Sequence, residues 1–94
     1  MLVAVIKGNK KEALENLLKA NAFVQAFEFR LDLIEHDFIA ELKENASHPV
    51  IFTLPFKEIP EHLLRLEPDF IDFAHTTSFG YLEKIRRNYP GIKI

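Results

Sequence analysis

Three charged residues alternate with two apolar ones in a short stretch of the chain: Glu28, Arg30 and Asp32 are separated by Phe29 and Leu31. Successive side chains of a strand point to opposite faces, so the three charges are expected to share one face. The apolar residues between and beside them are expected to share the other face and to contact the helices: Phe27, Phe29, Leu31 and Leu33. Unpaired charge is too costly to bury against packed helices, so the charged face is expected to line a polar region, such as the active site of a barrel. A solvated strand face, or an ion pair of Arg30 with Glu28 or Asp32, explains the same pattern structurally.

Histidines and lysines are the remaining candidates for chemistry. The histidines show no regular metal-ligand spacing, and a solvated role is expected for each of them: His36, His48, His62 and His75. Of these, His75 is the best candidate because it ends a predicted strand. Lys7 and Lys57 follow predicted strands, and a desolvated lysine there could form a Schiff base. Surface lysines are the more common case.

Composition narrows the class of protein. The chain has 94 residues, which suits one domain spanning residues 1–94, and its 12 basic and 14 acidic residues form no basic stripe, so a nucleic-acid partner is not expected. The absence of cysteine excludes disulfides and thiolate metal sites and fits a cytoplasmic protein. No apolar run approaches a membrane span, and the N-terminus does not resemble a signal peptide. No phosphate loop, nucleophile elbow or zinc signature is present, so neither a cofactor nor a metal is expected.

Strands and helices are predicted to alternate along the chain. The strands are predicted over residues 2–6, 26–33, 49–54, 69–75 and 92–94, at the spacing of βα units. The first is continuously apolar and is expected to be buried on both faces. Helix caps are expected at Asn9, at Asp37 and at Thr77 or Ser78. The order βαβαβαβαβ predicts an α/β fold with a parallel sheet, equivalent to half of a TIM-type (β/α)8 barrel.

Three of these segments together resemble the N-terminal half of type I 3-dehydroquinate dehydratase, a (β/α)8 enzyme of the shikimate pathway. The segments are residues 27–32 (Phe-Glu-Phe-Arg-Leu-Asp), 49–54 (Pro-Val-Ile-Phe-Thr-Leu) and 69–72 (Asp-Phe-Ile-Asp). The Glu-x-Arg-x-Asp strand is fairly specific, whereas the other two segments are weak alone. The resemblance covers the whole chain.

The resemblance implies a reaction and roles for three residues. In this family a lysine forms an imine with the ketone of 3-dehydroquinate, and a histidine removes the neighbouring proton so that water leaves and 3-dehydroshikimate forms. Glu28 and Arg30 match residues that bind the hydroxyl and carboxylate groups of the substrate. Asp32 matches a position that supports them.

The sequence also departs from the family pattern. Pro55 stands where the family has an arginine that binds the substrate carboxylate, and Ala74 stands where an acidic residue is common. The catalytic histidine and the Schiff-base lysine of the family lie beyond the fifth strand, and no residue of this chain matches them. No catalytic residue is therefore assigned, and independent dehydration is not expected.

Three interpretations remain open at this point. The chain could be part of an enzyme whose other half carries the chemistry, a non-catalytic relative that binds a small acid or a protein, or an unrelated α/β protein. Five strands cannot close an eight-stranded barrel, so the first and fifth strands are expected to be apolar edges. We therefore expect a two-fold homodimer or pairing with a second half.

Overall fold

The computed structural model describes residues 1–55, 58–73 and 77–94. Within these residues the strands are β1 (Val3–Gly8), β2 (Ala26–Ile34), β3 (Val50–Thr53) and β4 (Phe70–Asp72). The α-helices between and after them are α1 (Lys10–Ala20), α2 (Ile39–Asn45), α3 (Glu61–Leu64) and α4 (Phe79–Asn88), and a 3-10 turn, His36–Phe38, precedes α2. No helix of this described part is long and apolar enough to cross a membrane.

The four strands form one parallel sheet in the order β1-β2-β3-β4. Neighbouring strands in the chain are therefore neighbours in space, as successive βα units with the same crossover hand require. The prediction of an α/β fold with a parallel sheet alternating with helices is confirmed.

All the helices contribute to a core on one face of the sheet. Phe27, Phe29 and Leu31 of β2 are almost fully buried, and the two phenylalanines align with apolar residues of the neighbouring strands. The same cluster contains buried side chains from each helix, namely Ala13, Leu17, Ile39, Leu42, Leu63, Leu64 and Ile85. The two-residue period of β2 therefore places Phe27, Phe29 and Leu31 under the helices, as predicted.

Two of the predicted helix caps are present. Asn9 accepts the amide of Glu12 through Oδ1 (2.9 Å) and donates to its carboxylate through Nδ2 (2.7 Å), forming a reciprocal N-cap of α1. Ser78 Oγ accepts the amide of Tyr81 at 3.3 Å and caps α4. The prediction for Asp37 was wrong, because the 3-10 turn that contains it leads directly into α2 without a side-chain cap.

The alternation of β2 fails at its end. Leu33 was predicted to face the helices but is 44% exposed, and Ile34 is 5% exposed in its place. The cause is an irregularity in the β1–β2 ladder: Ile6 pairs with Phe29, whereas Gly8, only two residues later, pairs with Ile34. Extra residues in one strand of a pair change the face of the sheet to which the following side chains point.

The prediction that β1 is buried on both faces was also wrong. Ile6 is buried under the helices, but Val3 and Val5 on the other face are 37% and 49% exposed. An apolar run predicts burial only if some element covers each face, and in the described structure the helices cover just one. The opposite face of the sheet is open.

The predicted fifth strand is reduced to one bridge. Lys93 pairs in parallel with Phe70, donating its amide to the Asp69 carbonyl (3.0 Å) and accepting the Ile71 amide (2.9 Å). A turn at Pro90 and Gly91 precedes this bridge, and no longer ladder forms there. This bridge nevertheless covers the outer side of β4.

Candidate functional site

The candidate site is the open face of the sheet, opposite the helices. Register places nine side chains on it, in rows that cross the strands: Val3, Val5, Ala26, Glu28, Arg30, Ile51, Thr53, Phe70 and Asp72. Glu28 and Arg30 therefore share this face, as the sequence predicted. Asp32 follows on the same strand and joins them through its contact with Arg30.

Arg30 and Asp32 form a two-point ion pair. The guanidinium donates from Nε to Oδ1 at 3.0 Å and from Nη2 to Oδ2 at 2.8 Å. Each side chain is 32% exposed, so the pair lies partly out of solvent. The two parallel hydrogen bonds fix the plane and direction of the guanidinium, which a single contact would leave free to rotate. Asp32 is a positioning residue for Arg30.

The ion pair stabilises the charged forms of both groups. The hydrogen bond to Asp32 is the main cause that raises the pKa of Arg30, and the hydrogen bond from Arg30 is the main cause that lowers the pKa of Asp32. Glu28 also raises the Arg30 pKa through its charge. Within the described residues, the Nη1 side of the guanidinium has no bonded partner, so Arg30 can still donate to a second anion.

Thr53 and Asp72 extend the polar row of Arg30 across the sheet. Arg30 pairs in register with Thr53, and Thr53 with Asp72. Thr53 Oγ1 is buried and has no hydrogen-bond partner among the described residues. A buried hydroxyl without a partner is costly, so this atom is an unsatisfied polar group directly beside the row of Arg30.

The row below is almost entirely apolar. Glu28 aligns with Val5 on one side and with Ile51 and then Phe70 on the other. The described residues provide no ion-pair or hydrogen-bond partner for its carboxylate. Glu28 is only partly exposed, so its carboxylate stands at the boundary between the polar row and an apolar surface.

The apolar part of the open face ends in a groove at the N-terminal ends of the strands. The groove has a volume of about 390 Å³, and Met1, Ala26, Ile51 and Phe70 contribute to its walls. The open face is thus apolar toward the start of the strands and polar toward their carboxyl ends. In parallel α/β sheets, ligands bind at the carboxyl ends.

The histidines that the structure describes have structural roles or lie elsewhere. His36 Nε2 donates to the Leu31 carbonyl and His48 Nε2 to the Asn21 carbonyl, each at 2.8 Å. His62 is exposed, with its ring 5.9 Å from that of His36.

Of the two candidate lysines, the structure describes Lys7, which does not join the site. Lys7 is exposed rather than desolvated, which removes the condition for Schiff-base formation. Lys57, His75 and Ala74 lie outside the described residues. Over the ranges 1–55, 58–73 and 77–94, no group of three metal-ligating side chains is close enough to hold an ion.

Sequence reasoning named the charged residues of β2, Glu28, Arg30 and Asp32, but did not place Thr53 and Asp72 in the same cross-strand row as Arg30. The sequence showed that both residues lie at the ends of short strands. Their alignment with Arg30, however, depends on the register between the strands. No element of the sequence pattern fixes that register before the strands are paired.

Comparison with protein-family models, curated proteins and solved structures finds no significant match to this chain.

Proposed function

We propose that this chain is half of a (β/α)8 barrel related to type I 3-dehydroquinate dehydratase, and that its open face binds a small hydroxy acid. The observation that carries the proposal is the orientation of Arg30 by Asp32 beside Glu28, at the carboxyl end of an uncovered parallel sheet. The resemblance of residues 27–32 to the substrate-binding strand of that family supplies the substrate class, 3-dehydroquinate or a similar acid.

The sheet supports the half-barrel part of the proposal. A sequential order of parallel strands, with every helix packed on the same face, is the arrangement of consecutive units in a (β/α)8 barrel. A doubly wound sheet would instead reverse its strand order and carry helices on both faces. In a completed barrel the open face would become the interior, apolar near the bottom and polar near the top.

The chemistry of the site follows from its donors and acceptors. Arg30 donates to the substrate carboxylate through the guanidinium edge that Asp32 leaves unoccupied. Glu28 accepts hydrogen bonds from substrate hydroxyl groups. Dehydration requires an imine-forming lysine and a proton-transferring histidine, which a second half of the barrel would supply.

A non-catalytic role is the second candidate function. Pro55 follows β3 at the position of the family arginine and offers neither a charge nor a backbone donor. A site with a single arginine for the carboxylate can bind a small acid without completing the reaction. In this non-catalytic role the chain binds either the small acid alone or a second protein. We propose the cytoplasm as its compartment.

Turnover and imine trapping test the enzymatic part. The chain alone, incubated with 3-dehydroquinate and borohydride, is expected to show no 3-dehydroshikimate absorbance and no increase in mass. After addition of the C-terminal half of a 3-dehydroquinate dehydratase, we expect 3-dehydroshikimate absorbance to appear and the mass of the added half to increase through the trapped adduct. A mass increase on Lys7 or Lys57 of the chain alone would contradict the proposal. Failure to restore turnover in a mixture that co-purifies would favour the non-catalytic role.

A further inference from the structure

The two edges of the sheet differ in how they are covered. On the β4 side, the bridge from Lys93 occupies the amide of Ile71 and the carbonyl of Asp69. On the β1 side, no described residue pairs with the outer side of the strand. Exposed edge strands are templates for another strand unless a proline, a charge or a covering segment blocks them.

The backbone groups that β1 presents outward can be identified from its pairing with β2. The Phe27 amide bonds to the Pro49 carbonyl of the β3 side, so Glu28 directs its backbone groups toward β1. Glu28 is in register with Val5, and in a parallel ladder it bonds the residues on either side of its partner. Ala4 and Ile6 therefore face β2, whereas the amides and carbonyls of Val3, Val5 and Lys7 face outward.

The sequence of β1 is compatible with antiparallel pairing to itself. If Val5 lies opposite Val5 of a second copy, Val3 lies opposite Lys7 and Ala4 opposite Ile6. The two lysines are then at opposite ends and no like charges face each other. The outward residues coincide with the hydrogen-bonded positions of this register, which gives about six intermolecular backbone hydrogen bonds. The exposed side chain of Val5 gains Val5 of the second copy as an apolar neighbour on the open face.

We propose that the outer edge of β1 pairs antiparallel with the same edge of a second copy of this chain, across a two-fold axis at Val5. The pairing is isologous and joins two sheets into one of eight strands. Because Lys93 covers the other edge, the assembly closes at the dimer rather than growing into a fibre. The proposal does not depend on the dehydratase-related function, although a second barrel half would use the same edge with a parallel strand.

The test compares the wild-type chain with Val5→Pro and Val5→Thr by sedimentation equilibrium over a dilution series. Val5→Pro removes the outward amide without disturbing the bonds to β2, and is expected to weaken dimerisation at least about tenfold, the effect of losing two backbone hydrogen bonds. Val5→Thr keeps the amide and the β-branched shape and is expected to dimerise within about threefold of wild type. A monomeric wild-type chain, or a Val5→Pro dimer as tight as wild type, would overturn the proposal.

Amide exchange of the wild-type chain gives a second readout that does not depend on the folding of a variant. The amides of Val3, Val5 and Lys7 are expected to exchange slowly when the chain is concentrated and faster on dilution. Those of Ala4 and Ile6, bonded within the chain, should not change. Fast exchange of all three outward amides in a concentrated dimer would place the interface elsewhere and refute the β1 pairing.

Discussion

Arg30 and Asp32, two positions apart on the same strand face, are joined by two parallel hydrogen bonds of 3.0 and 2.8 Å. The bonds form because an extended strand brings side chains at i and i+2 to the same side. Because of this i, i+2 spacing, which is visible in the sequence, Asp32 can orient the guanidinium of Arg30.

The first prediction concerns the pKa of Asp32, which Arg30 lowers. Arg30→Gln is expected to raise the Asp32 pKa toward its ordinary value, measured by carboxyl-carbon NMR titration. Because the folded-state pKa is the lower one, the stability contributed by Asp32 is present above its unfolded pKa and is lost as the pH falls through the folded value. Lys7→Gln is the charge-matched control and should leave the Asp32 titration unchanged. An Asp32 pKa that is the same in wild type and Arg30→Gln would contradict the ion pair.

The sequence predicted the open-face position of Glu28 and Arg30 because a strand with strict alternation has only two ways to face a core. It could not predict the reversal at Leu33 and Ile34, which depends on an irregularity in the ladder with β1. The exposure of Val5 was missed for a related reason, since an apolar strand does not show which of its faces a helix will cover.

A pair of alanine substitutions tests that reversal. Ile34→Ala should lower the free energy of unfolding by roughly 2–4 kcal/mol because it empties a buried position. Leu33→Ala should cost less than about 1 kcal/mol because the side chain is largely exposed. Urea denaturation at one protein concentration provides both values. The opposite ranking would restore the simple alternation and refute the shifted register.

Tyr81 links α4 to the segment that leads into α3. Its hydroxyl accepts the Ile59 amide at 2.8 Å and donates to the Ile59 carbonyl at 3.1 Å. Tyr81→Phe leaves both backbone groups without this partner and is expected to destabilise the fold by roughly 1–2 kcal/mol. Tyr89→Phe is the matched control, because the Tyr89 hydroxyl bonds to the exposed carboxylate of Glu61, and it should cost less. Equal losses for the two variants would contradict this role for Tyr81.

The same tyrosine gives a pH dependence. Burial is the main cause that raises the Tyr81 pKa. Its neutral form is therefore favoured in the folded state, and the free energy of unfolding should fall as the pH rises above the unfolded pKa of tyrosine. The decline should be smaller in Tyr81→Phe when both proteins are denatured across the alkaline range. An undiminished decline would assign the effect to other groups.

Gly8 ends β1 with a φ of +99°, and a Cβ at this position would lie 3.3 Å from Oε2 of Glu12. Gly8→Ala is expected to cost roughly 1–3 kcal/mol from the strained backbone, seen as a lower midpoint in thermal denaturation. Gly80 in α4 has open space around it, so Gly80→Ala should raise the midpoint through helix propensity. Stabilisation by Gly8→Ala would show that the turn between β1 and α1 does not need this φ.

Titration of the chain with 3-dehydroquinate, followed by NMR at the Arg30 Nε–H, tests the proposed function most directly. Saturable shifts are expected at Arg30 and at the amides of Glu28 and Thr53, with affinity reduced about tenfold or more in Arg30→Gln, as the loss of a charged hydrogen bond predicts. Lys7→Gln, which removes an equal charge outside the site, should bind as wild type does. The absence of saturable shifts, or equal affinity in wild type and Arg30→Gln, would contradict a small-acid site on the open face.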